Sequence, residues 1–146
     1  KSLESVEITD KVTSIGNGAF QGCSALTGLL LPSSLTSIGN HAFHGCKRLT
    51  GVTLPGKLGA IGKGAFSGCL GLTSLNIPDP VTKIADNVFE GCAGLTQVRM
   101  GNTVTSIGSH AFSGCRQLKE LSIPETLLTL ARDPFPTSRA IKRACI

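Results

Sequence analysis

The chain has 146 residues, 40% of them hydrophobic, which suits one folded domain rather than a disordered tail. Its longest apolar runs, such as Leu29-Leu30-Leu31, are far too short to span a bilayer, and no charged-then-apolar leader opens it. A net charge of +5 on only 16% charged residues, with no Trp or Tyr for base stacking, argues against a nucleic-acid partner.

Lys1 stands almost on the first repeat strand, so a mature form or a fragment is expected and the compartment is left open. From Leu3 onward the chain repeats. Cys23, Cys46, Cys69, Cys92 and Cys115 are each 23 residues apart, and Phe20, Phe43, Phe66, Phe89 and Phe112 each precede one by three residues. A fixed period of this length predicts coils that cannot bury an apolar face alone and must stack on their neighbours. Each unit reads roughly L-x-x-L-x-L-P-x-x-L-x-x-I-G-x-x-A-F-x-G-C-x-x. Its first slot holds Leu3, Leu26, Leu49, Leu72, Leu95, Leu118 and Ile141; its third holds Ile8, Leu31, Leu54, Ile77, Met100, Ile123 and Ile146. Apolar residues with one outward residue between them are strand-like, so about seven short strands in one parallel sheet are predicted. Pro32, Pro55, Pro78 and Pro124 end four of them, since proline cannot donate to a ladder, and Gly101 fills that slot once.

In the return limb, Ile38, Ala42, Phe43 and Cys46 share one face of a predicted short helical or 3₁₀ segment. Asn17, Asn40, Asp86 and Ser109 stand where its first turn needs a side-chain oxygen for free N–H groups, with Gly16, Gly39, Gly62 and Gly108 permitting the corner. The last unit, residues 124–146, is degenerate: Phe135 is kept, but Pro134 replaces Ala, Ser138 replaces Cys and Pro136 follows.

The candidate chemistry is thin. Five thiols in file along one edge suit neither a tetrahedral zinc site nor the dihedral of a disulfide, and buried free thiols are expected. Counted from Ile141, Cys145 falls in the outward slot of Leu30, Thr53 and Asn76 and is expected to be exposed. His41 and His110 share a slot three coils apart, about 14 Å at strand spacing, too far for a shared metal. His41 and His44 make at best two ligands. No Ser/His/Asp arrangement converges and no phosphate-binding glycine loop occurs, so no catalytic residue, metal or cofactor is predicted.

What remains is the exposed strand face. Its candidate binding residues are Glu4, Glu7, Leu30, Thr53, Asn76, Arg99 and Lys119, which run from an acidic first strand through a small, nearly uncharged centre to a basic far end. Solenoids use such faces for partners; a solvated Thr-rich sheet is the alternative. Arg132, Arg139, Lys142 and Arg143 concentrate positive charge at the C-terminal end, where a solvated surface is expected.

The segments Gly39-Asn40-His41-Ala42-Phe43-His44-Gly45-Cys46 and Gly62-Lys63-Gly64-Ala65-Phe66-Ser67-Gly68-Cys69 strongly resemble the BspA-like, or Treponema pallidum type, leucine-rich repeats. The likeness covers essentially the whole chain, residues 1–146, read as a single repeat domain. It implies an α/β repeat fold, a right-handed leucine-rich-repeat solenoid whose strands form one sheet. It also implies a surface, periplasmic or secreted setting and a non-catalytic protein–protein interaction module, with attachment to a host or surface protein as the specific expectation. The alternative is a structural module that self-associates or stacks on further repeats through apolar ends at Leu3 and Val6 or at Ile141 and Ile146.

Overall fold

Residues 3–124 and the strand segments 129–130 and 142–145 are described by a computed structural model of the chain. The 23-residue units wind as successive coils, taken here to begin at Leu3, Leu26, Leu49, Leu72, Leu95 and Leu118. Twelve short strands occur among the described residues: β1 (Ser5–Glu7), β2 (Ser14–Ile15), β3 (Gly28–Leu30), β4 (Ser37–Ile38), β5 (Ala60–Ile61), β6 (Ser74–Asn76), β7 (Lys83–Ile84), β8 (Gln97–Arg99), β9 (Ser106–Ile107), β10 (Glu120–Ile123), β11 (Thr129–Leu130) and β12 (Lys142–Cys145). All pairs are parallel. Register follows the repeat: Val6 faces Leu29, and Leu75 faces Val98.

The expected sheet is interrupted. β1 pairs β3, and β6, β8, β10 and β12 form a second ladder, but the third coil contributes no strand at 51–53. A second column, which the sequence reading did not foresee, runs along the corner after the proline turn. It too is split, into β2-β4-β5 and β7-β9-β11.

The expected helical return limb is a correction: no helix occurs among the described residues. Gly18, His41, Gly64, Asn87 and His110 share one slot and all have positive φ, from 56° to 65°. Four residues on, Gly22, Gly45, Gly68, Gly91 and Gly114 lie between 75° and 77°. Two left-handed residues per limb are incompatible with a right-handed helix. Backbone donors instead alternate between neighbours. Gly18, Phe20 and Gly22 donate to Asn40, Ala42 and His44 of the next coil at 2.7–2.8 Å, while Ala19, Gln21 and Cys23 close local turns onto Gly16, Gly18 and Phe20. Every second N–H thus ties one coil to the next.

The core lies between the two columns. Leu26, Leu49, Leu72, Leu95 and Leu118 are fully buried, as are Phe43, Phe66, Phe89 and Phe112. The phenyl rings stack nearly parallel from Phe20 to Phe112 with centroids 5.3–5.9 Å apart. At the proline corners the Pro32, Pro55 and Pro78 carbonyls accept the N–H of Leu35, Leu58 and Val81. Among the described residues no helix is long and apolar enough to cross a membrane.

The last step is shorter than the rest. β12 pairs with Glu120↔Lys142 and Ile123↔Cys145, an offset of 22, where every earlier strand pair of this sheet is offset by 23. A one-residue slip inverts the alternation of a strand. Cys145 therefore pairs in register with Ile123, where counting from Ile141 set it beside Ser122; its side chain lies outside the described residues.

Candidate functional site

The strand face presents two files. Glu7, Leu30, Thr53, Asn76 and Arg99 occupy one repeat position, and Glu4 and Lys119 occupy another, filled by Thr27, Thr50, Thr73 and Thr96 in the coils between; all seven candidate residues are exposed. The register sets Glu7 beside Leu30 and Asn76 beside Arg99. Thr53 falls between these pairs, in the third coil that lacks a strand. There a cleft of about 330 Å³ opens between Gly51–Leu54 and Ser74–Asn76. Leu30 is 64% exposed, the most exposed large apolar side chain described.

Threonine holds this surface in place. Thr27 and Thr96 donate Oγ1–H to the Glu4 and Thr73 carbonyls at 3.2 and 3.0 Å, so their hydroxyls brace the coil stack. The Thr-rich composition is therefore partly structural.

The thiols are confirmed as buried and free, but they do more than fill space. Cys46, Cys69, Cys92 and Cys115 each donate Sγ–H to the carbonyl of the Phe 26 residues earlier, at 3.1–3.2 Å. Burial, reinforced by the neighbouring Cys23, pushes the Cys46 thiol up to about 11. Burial, reinforced by Cys46, pushes Cys69 up to about 12. Burial alone takes Cys115 to about 12, and Cys92 is raised by burial and by the thiols on either side. A thiol held protonated is a poor nucleophile and a poor metal ligand.

His41 and His44 meet edge to face with centroids 5.7 Å apart, and no group of three metal-ligating side chains occurs among the described residues. His41 and His110 stay three coils apart in the left-handed slot. The side chains of Arg132, Arg139, Lys142 and Arg143 lie outside the described residues.

The polar turn residues act differently from expectation. Asn17, Asn40 and Asp86 cap no turn of their own; each Oδ1 accepts the N–H of the equivalent residue one coil on, Asn40, Lys63 and Ser109, at 2.8–2.9 Å. With no helix there is no N-terminus to cap, and the unsatisfied donors belong to the next coil. The corresponding acceptor role of Ser109 falls on residues outside those described.

A parallel β solenoid with an Ile, Ala-Phe and Gly-Cys return limb is a leucine-rich-repeat protein. Residues 1–92 match the BspA type leucine-rich repeat region in six copies, and the chain belongs to that family. It is similar to the crystal structure of the T. pallidum leucine-rich repeat protein, with 28% identity and a TM-score of 0.78 over 87% of this chain and 72% of that one. A leucine-rich cell surface protein from Faecalibacterium prausnitzii matches at 25% identity and a TM-score of 0.54, over 96% of this chain and 52% of its own. A leucine-rich repeat protein from Eubacterium ventriosum shares the fold at 22% identity and a TM-score of 0.78, over 97% of this chain and 45% of its own. The chain thus spans about half the length of the latter two. No curated protein matches the sequence.

Proposed function

We propose that the chain is a non-catalytic protein–protein interaction module that attaches to a host or surface protein through its strand face. The observation that carries this reading is the uninterrupted exposure of Glu7, Leu30, Thr53, Asn76 and Arg99 along one file, with Leu30 64% exposed at its apolar point. Family membership and the likeness to a protein described as a cell surface protein support it. The charge gradient from Glu4 and Glu7 to Arg99 and Lys119 would orient a partner whose own surface runs from basic to acidic.

Capture from a host-cell surface extract tests it, with wild type beside Arg99→Glu and Leu30→Asp. Both substitutions are expected to weaken retention of the same partner band; retention unchanged by either would remove the strand face as the site.

A second reading is a structural module that self-associates or stacks on further repeats through its ends, as an architecture of stacked coils allows. Sedimentation across a concentration series separates the two, since a strict monomer at high concentration is incompatible with end stacking.

A further inference from the structure

In the first three coils and again from the fourth to the fifth, two successive backbone N–H groups at the second column are satisfied by the coil before. Gly39, Gly62 and Gly108 donate to the Ile15, Ile38 and Ile84 carbonyls at 2.7–2.8 Å. The following residues, Asn40, Lys63 and Ser109, donate to Asn17, Asn40 and Asp86 Oδ1. At the boundary between the third and fourth coils both acceptors are missing. Lys63 stands in the Asx slot and offers no side-chain oxygen, and the N–H groups of Ala85 and Asp86 find no acceptor among the described residues.

A methyl group adds to the missing oxygen in keeping the coils apart. A Cβ at Gly39, Gly62 or Gly108 would lie 2.5–2.7 Å from the backbone nitrogen of the Asx residue one coil back. Ala85 has that Cβ, so the fourth coil cannot close on the third there, and β5 and β7 do not pair. The result is a cleft of about 590 Å³ whose lining includes Gly62, Lys63, Lys83, Ala85 and Asp86. Both lysines are exposed. Asp86 is the sole carboxylate among the described residues of the lining, and its Oδ1 is already taken by the Ser109 N–H at 2.8 Å.

We infer that this cleft is an anion site that receives the side-chain carboxylate of an acidic segment in a protein partner. Successive unpaired N–H groups form a concavity suited to an oxyanion, and flanking ammonium groups turn the hydrogen bonds into charge-assisted ones. The carboxylate oxygens replace the two acceptors that the third coil withholds, the Ile61 carbonyl and an Asx side chain. The site lies in the second column and does not rest on the strand-face reading, so each can fail alone.

Amide NMR of the full chain, titrated with a blocked triglutamate peptide, tests the inference. Saturable shifts centred on the Ala85 and Asp86 amides are expected, suppressed by added salt. Lys83→Met should weaken the apparent affinity by about tenfold, what one charge-assisted hydrogen bond supplies, while Lys57→Met leaves it unchanged. The double variant Lys63→Asn with Ala85→Gly restores the repeat's own acceptor and closure and should lose binding while its remaining amides stay dispersed. Absence of shifts at these two amides, undiminished binding by the double variant, or stronger saturable shifts from inorganic phosphate than from the peptide would each overturn the assignment.

Discussion

Gly62 rides directly on Asn40: a Cβ at position 62 would stand 2.5 Å from the Asn40 nitrogen, and Asn40 Oδ1 accepts the N–H of Lys63 at 2.9 Å. Glycine and asparagine here form one device spread over two coils. The side-chain oxygen draws the next coil in, and the missing Cβ lets it come. Gly39 above Asn17 and Gly108 above Asp86 repeat the arrangement, whereas Ala85 follows Lys63, where no such oxygen exists.

Gly62→Ala should therefore destabilise the chain by about 1–3 kcal/mol, because the new methyl meets backbone atoms that cannot rotate away. Gly51→Ala is the control: a Cβ there meets nothing within 4 Å. Urea unfolding of the two variants is expected to show a clear loss for the first and little or no loss for the second.

The phenyl stack should be strongest in the middle. Phe66 is fully buried, with rings 5.3 and 5.9 Å away on either side, while Phe20 is only half-buried and stacks on Phe43 alone. Truncating a buried Phe costs about 3–5 kcal/mol, against a total stability of about 5–15 kcal/mol for a domain. Phe66→Ala is thus expected to lower the melting temperature steeply, read by circular dichroism, and Phe20→Ala to lower it much less.

His110 has φ 56°, in the slot that Gly18 and Gly64 fill elsewhere. The left-handed conformation costs an L residue about 1–2 kcal/mol, and glycine's extra entropy loss returns about 0.5–1 of that. His110→Gly should raise the urea midpoint slightly. His41→Gly should gain less, because the His41 ring lies against Gly64, where a Cβ would come 2.5 Å from Nδ1, and that packing is lost.

The thiol file makes stability fall at alkaline pH. In the unfolded chain these groups ionise near their ordinary value of 9.0, whereas the fold holds Cys69 protonated up to about 12. Stability is therefore fully present below pH 9 and is lost as pH rises from there toward 12. Urea midpoints measured from pH 8 upward should decline, and Cys69→Ala, which removes one such group, should show a shallower decline from its own starting value. Thiol reagents at neutral pH should modify Cys46, Cys69, Cys92 and Cys115 only on unfolding.

Much of this protein is legible in its sequence because a repeat reports the same environment several times over. The 23-residue spacing of Cys and Phe fixes which residues stack, and the alternation of Leu26, Leu29 and Leu31 with Thr27, Gly28 and Leu30 separates inner from outer positions. Stacked strands and burial of the thiols follow from that pattern, the leucine-rich-repeat class is what the motif resemblance implies, and all are present in the structure. The strand-face residues were likewise found by parity, and each is exposed.

Three features depended on how neighbouring coils meet. The return limb has helical apolar spacing, but His41 and Gly45 turn left-handed and send alternate N–H groups to the next coil, a choice made by inter-coil hydrogen bonding. The final register slips by one residue at Cys145, which pairing to Ile123 decides and slot counting misses. The cleft at Ala85 was visible in sequence only as a Gly-to-Ala change in a slot. Its meaning needed the coil before it, because a methyl group acts as a wedge only when another backbone lies within its reach. Periodicity is a property of one chain read along its length, so the sequence by itself determined the repeat and its inner face. Close approach is a property of two coils at once, and only the tertiary structure decided where they join and where they part.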